Sequence, residues 1–288
     1  MKAELLLDAK ATLGEGPAWD SKTQTLYWLD ILEKRIYADT RILAQLDDLV
    51  CCIAPRKNGN LLLGTRLGFA DLNPDSVQLT VLAALDSELP TNRLNDGKCD
   101  PAGRLLAGTM DMNEKDPNGA LYSFDGKNST RLLDKVTISN GLAWSVDHKT
   151  FYYIDTPTRE VKAFDYDLAT GQIANPRAAI HVPESLGWPD GMTSDTDGNL
   201  WIALWGGAQV TKWNPSTGKL LEQIPVPALQ TSSCVFGGKD MNELYITSAR
   251  KSMSETDLKK YPLSGGLFKV ITNVVGMKTF EFNEQVTL

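Results

Sequence analysis

The sequence predicts an all-β fold, a six-bladed β-propeller of four-stranded antiparallel blades. Two observations carry this prediction. The first is a motif that recurs along the chain: a leading residue, a short apolar strand, a turn, and a second strand that opens on an apolar or aromatic anchor. The second is its spacing, because six copies at intervals of roughly 35–50 residues are typical of propeller blades.

The six copies share one register. Their leading residues are Glu15, Cys51, Asn95, Asn140, Asp190 and Ser233. The anchors of their second strands are Leu26, Leu61, Leu105, Phe151, Leu200 and Leu244. Each leading residue stands 10 or 11 positions before its anchor, and successive anchors lie 35, 44, 46, 49 and 44 residues apart. Each leading residue is therefore expected at the same place in its blade.

The blades are predicted at residues 14–48, 49–84, 92–135, 138–182, 188–227 and 230–271. Turn sequences such as Lys57-Asn58-Gly59-Asn60 join their inner strands. We expect residues 1–288 to form one domain, because each blade needs its neighbours to bury both of its faces. Residues 3–8 and residues 279–282 are each able to supply the last outer strand and close the ring. The sequence leaves that choice open.

Composition limits the class of function. The formal net charge is −7 and no stripe of Lys and Arg is visible, which argues against a nucleic-acid partner. No apolar run approaches about 18 residues, so we expect no membrane span. Residues 1–12 are interrupted by charge and are not expected to act as a signal peptide. The four cysteines lie on predicted inner strands as buried reduced thiols, so we expect a cytoplasmic protein.

Histidine is nearly absent from the chain. His148 lies in a predicted turn and His181 in a predicted outer strand. This placement argues against a histidine-rich zinc site and against a Ser-His-Asp triad at the channel. Any chemistry at the centre of the ring is therefore expected to use oxygen ligands.

The leading residues are expected to meet at one end of the central channel. Among them, Glu15, Asn95, Asn140 and Asp190 carry side-chain oxygens. Carboxylates that face one another in a partly dehydrated channel repel unless a cation lies between them. Ca²⁺ accepts this ligand set, Mg²⁺ and Mn²⁺ also accept it, and Zn²⁺ and Fe²⁺ accept it less naturally. The alternative is a watery channel whose polar groups satisfy one another.

Neighbouring segments add groups to this end of the channel. Arg93 stands two residues before Asn95, so on a strand both side chains face the channel, while Asp96 faces away and bonds to backbone. The Arg93 guanidinium offers donors to hydroxyl or carboxyl oxygens. Loops 110–118 and 249–265 each join the second and third strands of a blade. We therefore expect both loops over the same end, as lids or substrate walls.

Several motifs resemble those of the regucalcin / senescence-marker-protein / gluconolactonase family over nearly the whole chain. They are Leu13-Gly14-Glu15-Gly16-Pro17, Asn92-Arg93-Leu94-Asn95-Asp96-Gly97-Lys98, Ala107-Gly108-Thr109-Met110, Ser139-Asn140-Gly141-Leu142-Ala143-Trp144-Ser145, Pro189-Asp190-Gly191 and Ala249-Arg250. The resemblance implies a six-bladed propeller with one catalytic divalent metal that hydrolyses sugar-acid lactones. By motif position, it implies that Glu15, Asn140 and Asp190 are the metal ligands.

The resemblance also implies that Arg93 and Asn95 contact the substrate. Some relatives carry a carboxylate that touches the sugar in the stretch after Gly-Thr-Met. Asn113 occupies that place here and is our candidate for the same contact.

The predicted function is metal-dependent hydrolysis of a sugar-acid lactone, a gluconolactonase-like activity. The expected cofactor is one divalent ion that polarises the lactone carbonyl, with Ca²⁺ ahead of Mn²⁺, Mg²⁺, Zn²⁺ and Fe²⁺. Asp190 is the candidate catalytic base, and water activated by the metal is the competing one. The rival functions are a non-catalytic calcium-binding or scaffold propeller and an aryl-ester or organophosphate hydrolase. The expected partner is a small-molecule sugar lactone, with no nucleic acid or membrane, and the expected state is a monomer or weak homodimer.

Overall fold

The structure is a computed structural model that describes residues 1–85 and 89–284. Within these ranges, 24 strands form six four-stranded antiparallel sheets. The first strand of each sheet contacts the first strands of the two neighbouring sheets, and the last sheet contacts the first. The sheets therefore close into a ring, and the prediction of a six-bladed β-propeller is confirmed.

The first half of the ring follows a single short strand, β1 (Glu4–Leu7). Blade 1 consists of β2 (Gly14–Asp20), β3 (Thr25–Asp30), β4 (Arg35–Ala38) and β5 (Arg41–Gln45). Blade 2 consists of β6 (Val50–Pro55), β7 (Leu61–Thr65), β8 (Gly68–Leu72) and β9 (Leu79–Ala84). Blade 3 consists of β10 (Asn92–Cys99), β11 (Leu105–Asp111), β12 (Gly119–Phe124) and β13 (Ser129–Val136).

The second half repeats this order. Blade 4 consists of β14 (Ser139–Trp144), β15 (Thr150–Asp155), β16 (Glu160–Tyr166) and β17 (Ile173–His181). Blade 5 consists of β18 (Trp188–Ser194), β19 (Leu200–Trp205), β20 (Gln209–Asn214) and β21 (Lys219–Pro225). Blade 6 contains β22 (Gln230–Gly237), β23 (Glu243–Ala249) and β24 (Leu267–Ile271).

The helical segments lie between strands. They are the short helix α1 (Glu255–Lys260) and two 3-10 turns, Thr156–Thr158 and Glu184–Leu186. Helix α1 begins after Ser254, whose hydroxyl oxygen accepts a hydrogen bond from the Asp257 N–H at 3.1 Å. None of the described helices has the length and apolar character needed to cross a membrane.

The N-terminal strand closes the ring. Strand β1 pairs antiparallel with β24, with Leu5 opposite Phe268, and so becomes the outer strand of blade 6. The C-terminal segment, the other candidate for this role, instead crosses the end of the channel where the first strands finish. There the Met277 N–H donates to Ser194 O at 2.9 Å, and the Phe282 N–H donates to Pro55 O at 2.8 Å.

The core lies between neighbouring blades. The inner strands β6, β14 and β22 are buried along their whole length, whereas the outer strands β5, β9 and β13 are largely exposed. Inner strands are covered on both faces by adjacent blades, so they carry small and apolar side chains. The four cysteines are buried there as free thiols, as predicted.

Buried ionic groups at the turn between β10 and β11 join blades 3 and 4. Asp100 is fully buried and accepts hydrogen bonds from Arg104 Nε at 2.6 Å and from the Tyr166 hydroxyl at 2.5 Å. Arg104 also donates from Nη2 to Leu168 O at 2.5 Å. Because Arg104 and Asp100 form a buried ion pair, removing one of them leaves the other charge without compensation.

Candidate metal and substrate site

Each blade has a bulge near its start, and four of the leading side chains face the channel there: Glu15, Asn95, Asn140 and Asp190. In all six blades, the register between the first and second strands shifts at or beside the leading residue. In blade 4, Asn140 pairs with Ile154 and Leu142 pairs with Tyr153, so Gly141 between them is unpaired and has a φ of 35°. A bulge of this kind bends the strand and redirects a side chain. The common register of the sequence motif thus becomes a common direction.

A cavity of about 330 Å³ opens at this end of the channel. Its lining residues are Leu13, Glu15, Arg93, Asn95, Met110, Glu114, Ile138, Asn140, Thr156, Pro157, Trp188, Asp190, Trp205 and Lys251. The structure therefore brings together five of the six predicted site residues.

The sixth predicted residue, Asn113, lies on the exposed part of its loop. Its Nδ2 donates to Asp111 Oδ1 at 3.2 Å. Asn113 is not among the lining residues in the part of the chain that the structure describes, whereas its neighbour Glu114 is. Its contact with substrate stays a prediction.

A hydrogen-bond network connects the polar site residues of blades 3 and 4. Arg93 Nη1 donates to Asn95 Oδ1 at 2.6 Å. Asn95 Nδ2 in turn donates to Asn140 Oδ1 at 2.9 Å and to Ser139 O at 2.7 Å. Asn140 Nδ2 donates to Thr156 Oγ1 at 2.8 Å. These contacts place Arg93 and Asn95 in fixed positions beside the predicted ligand Asn140.

Thr156 determines which way the Asn140 amide faces. The single Thr156 hydroxyl proton is used in a 2.8 Å bond to Pro189 O. Toward Asn140 the hydroxyl can therefore only accept, so the amide nitrogen must face it. Asn140 Oδ1 consequently faces Asn95 and the cavity, with a lone pair to spare for a cation.

The two carboxylates are buried, and the pKa of each is raised. Glu15 is 8% exposed and Asp190 is 5% exposed. Burial, followed by the charge of Asp96, raises the pKa of Glu15 to about 8, although the Gly16 N–H opposes the rise. Burial, Glu15 and Asp96 raise the pKa of Asp190 well above its ordinary value. The pair therefore resists ionisation when nothing positive lies between its members.

These residues fit a hard divalent cation. No group of three or more His, Cys, Asp or Glu side chains suited to a metal occurs within residues 1–85 and 89–284. The predicted set has only two such side chains, Glu15 and Asp190, and its third member is the oriented amide oxygen of Asn140. Carboxylate and carbonyl oxygens are the ligands that Ca²⁺, Mg²⁺ and Mn²⁺ prefer. A divalent cation would also relieve the repulsion within the carboxylate pair.

A second charged pair lies deeper in the channel. Asp96 accepts a hydrogen bond from the Gly97 N–H at 2.8 Å, which confirms its predicted bond to backbone. The prediction that Asp96 faces away from the channel is wrong, because the bulge between Leu94 and Gly97 breaks the alternation of the strand. Lys98 donates from Nζ to Met192 O at 2.7 Å. Burial raises the pKa of Asp96 and lowers that of Lys98, while the charge of each stabilises the other. The negative charge of Asp96 contributes to the raised pKa of both Glu15 and Asp190.

The two long loops lie over the mouth of the cavity, as predicted. Glu114 from blade 3 and Lys251 from blade 6 both line the cavity and form an ion pair. Blades 3 and 6 stand opposite each other in the ring, so this pair spans the mouth. Sequence reasoning placed the loops correctly but did not single out Lys251, because nothing in the pattern separates it from the other charged residues of its loop.

Sequence reasoning also missed Thr156, Trp188 and Trp205. The two tryptophans occupy strand ends, where an aromatic residue is as typical of a core position as of a pocket. Thr156 follows the second strand of blade 4, and only the neighbouring strand shows what it binds.

Comparison with known proteins identifies the family. A sequence profile of the SMP-30/Gluconolactonase/LRE-like region matches residues 13–250. Regucalcin from Danio rerio is 41% identical over 280 residues and regucalcin from Homo sapiens is 40% identical over 282 residues, with 94% of both chains covered in each case. A solved luciferin-regenerating enzyme matches with a TM-score of 0.91 at 33% identity, covering 98% of this chain and 99% of that one. A regucalcin from Agrobacterium tumefaciens, a calcium-binding protein, matches with a TM-score of 0.92 at 28% identity, covering 97% and 96%. The chain belongs to the SMP-30/gluconolactonase/LRE-like family.

Proposed function

We propose that this protein is a metal-dependent lactonase that hydrolyses a sugar-acid lactone to the free acid. The observation that carries the proposal is the meeting of two buried carboxylates, an oriented amide oxygen and an arginine at the open end of the channel. Membership of a gluconolactonase-like family supports the reaction class. The calcium-binding relative supports Ca²⁺ as the ion.

Glu15, Asn140 and Asp190 are the residues that would hold the ion. A bound divalent cation acts as a Lewis acid toward a carbonyl oxygen and stabilises the negative charge that develops on it. The buried position of the three side chains keeps competing water away and strengthens their electrostatic interactions.

Asp190 is the residue that we assign to proton transfer. Its carboxylate accepts a proton from the attacking water as the water oxygen bonds to the lactone carbonyl carbon. The ring C–O bond then breaks, and the proton passes to the departing ring oxygen, which leaves a hydroxyl group and a carboxylic acid. In the metal-free protein, burial raises the pKa of Asp190. A bound cation would lower the basicity of this carboxylate, so water activated by the metal is the competing base.

Arg93 and Asn95 are assigned to substrate binding. A guanidinium carries five N–H donors, so a group that uses Nη1 on Leu94 O and Asn95 Oδ1 keeps donors for substrate oxygens. The network from Arg93 to Asn140 holds these donors beside the carboxylates, which orients the lactone ring for attack.

A lactone panel with controlled metal content tests the proposal. The chelated protein is assayed by pH-stat on aldonolactones, aryl esters and organophosphates, with Ca²⁺, Mn²⁺, Mg²⁺, Zn²⁺ or Fe²⁺ added back singly. We expect metal-dependent acid release from aldonolactones. Aryl esters as the better substrates would indicate the esterase alternative. Metal binding without turnover of any substrate would indicate a non-catalytic propeller and refute the proposal.

Two variants test the roles proposed for Asp190 and Arg93. We expect Asp190→Ala to lose both metal binding and turnover, and Arg93→Ala to raise KM with a smaller effect on kcat. Glu4→Gln, which removes a carboxylate from the exposed strand β1, is the matched control and should behave as wild type. Full activity of Asp190→Ala would remove this residue from the mechanism.

We propose the cytoplasm as the compartment, and a monomer or weak homodimer as the working state. The four free buried cysteines support a reducing environment. Size-exclusion chromatography with light scattering measures the state, and a stable larger assembly would contradict it.

A further inference from the structure

An aromatic wall stands beside Asp190 and has no part in the chemistry described above. Trp188 and Trp205 are register partners at the ends of β18 and β19, and both line the cavity. Trp188 comes two residues before Asp190 in the same strand. Blade 5 therefore supplies both the proposed base and the neighbouring wall.

Arg159 of blade 4 holds the Trp188 ring in place. Its guanidinium carbon lies 3.5 Å from the ring centroid, within cation–π distance. Its Nη1 also donates to Gly187 O at 2.9 Å, which anchors the guanidinium beside the ring. The ring is thus supported from outside the cavity by a residue that is itself fixed.

The supported ring remains 39% exposed although it forms part of a concave pocket. Ile138 and Pro157 from blade 4 extend the apolar lining. Apolar surface gathered in a pocket marks the position of an apolar part of a ligand. A group that lies there gains by leaving water, because the wall presents mainly carbon.

The cavity lining combines polar and apolar groups, and most of the apolar ones belong to blades 4 and 5, with Leu13 and Met110 as the others. The carboxylates, the amides and Arg93 can receive the lactone carbonyl and its hydroxyl groups. The tryptophan wall lies to one side of them, against the part of the substrate that does not react.

We infer that Trp188 and Trp205 form an apolar subsite that binds an alkyl or aryl substituent on the lactone. The protein then hydrolyses lactones with an apolar substituent faster than unsubstituted lactones of the same ring size. This inference rests on the proposed lactonase function, because it concerns the same site.

A homologous series of substrates measures the subsite. The metal-loaded protein is assayed on γ-lactones from γ-butyrolactone to γ-nonalactone, which differ only in the length of a linear alkyl chain. Burying one CH₂ group is worth about 0.8 kcal/mol, so we expect kcat/KM to rise up to about fourfold for each carbon that reaches the wall. Trp188→Ala should reduce this rise to less than about twofold, and Trp188→Phe should keep most of it.

A control variant distinguishes the loss of the tryptophan wall from a general loss of apolar surface. Leu221 is 50% exposed on the outer strand β21 of the same blade, so Leu221→Ala should leave the chain-length dependence unchanged. A wild type without chain-length dependence would overturn the inference. The same dependence in wild type and Trp188→Ala would overturn it as well.

A binding measurement tests the subsite independently of turnover. If glucono-1,5-lactone and every γ-lactone resist hydrolysis, the proposed function fails, and ligand-observed NMR titrations with γ-butyrolactone and γ-nonalactone still examine the wall. Tighter binding of γ-nonalactone by wild type, lost in Trp188→Ala, supports the subsite. Equal affinity for the two ligands in wild type overturns it.

Discussion

Removing divalent cations and then raising the pH tests the Glu15–Asp190 pair most directly. The pKa of Glu15 rises from 4.5 to about 8 in the folded protein. Below pH 4.5 both the folded and the unfolded chain hold this proton. As the pH rises to about 8, the unfolded chain releases the proton while the folded chain keeps it. The free energy of unfolding of the metal-free protein therefore falls across this range.

The size of the loss follows from the pKa of Glu15. Each tenfold change in the proton equilibrium corresponds to about 1.4 kcal/mol, so a rise from 4.5 to about 8 corresponds to about 5 kcal/mol. The pKa of Asp190 is raised as well, so its contribution has the same sign. Because a folded domain is stable by only about 5–15 kcal/mol, this loss is large enough to measure.

Urea unfolding at pH 5 and pH 8, each with EDTA or with Ca²⁺, measures the effect. In EDTA we expect a drop of several kcal/mol between the two pH values, and in Ca²⁺ we expect the drop to disappear, because the cation favours the ionised carboxylates. Glu15→Gln should reduce the drop in EDTA, because only the contribution of Asp190 then remains, while Glu4→Gln should keep the full drop. Equal drops in wild type and Glu15→Gln would refute the placement of these carboxylates in one buried site.

Three further substitutions test the surroundings of the site. Thr156→Val removes the hydroxyl group that orients the Asn140 amide, so the amide becomes free to rotate. We expect the Kd for the divalent ion, measured by calorimetry, to rise about 10–100-fold with the fold unchanged. An unchanged Kd would show that Thr156 does not orient the amide. Gly191→Ala would bring a Cβ to 2.0 Å from the Ser233 Oγ. We therefore expect the free energy of unfolding, measured in urea, to fall by about 1–3 kcal/mol. An unchanged free energy of unfolding would contradict the close approach of blades 5 and 6. Arg104→Ala leaves the buried Asp100 without its ion-pair partner, so we expect the free energy of unfolding to fall by about 3–5 kcal/mol. A fall of less than about 1 kcal/mol would show that Asp100 reaches water.

The fold and most of the candidate site could be predicted from the sequence because both depend on counting along the chain. A motif that returns in one register predicts equivalent strands, and equivalent strands place Glu15, Asn95, Asn140 and Asp190 at one end of a ring. Arg93 follows from strand alternation. The structure gathers these five residues in one cavity.

Contacts between blades could not be predicted in this way. Thr156 orients Asn140 through a carbonyl of blade 5, and Arg159 of blade 4 supports Trp188 of blade 5. Lys251 meets Glu114 across the mouth. Each contact depends on the angle between blades or on the path of a loop. Neither of these is encoded in a periodic sequence pattern.

The closing of the ring shows most clearly which features follow from the sequence and which depend on the folded structure. The number of blades, their order and the residues that lead them follow from the amino-acid sequence alone, because these are properties of a repeat. That β1, and not the C-terminal segment, completes blade 6 is seen only in the folded chain. Both segments can form a strand, and the choice depends on which one reaches the free edge of β24 once the other blades are in place.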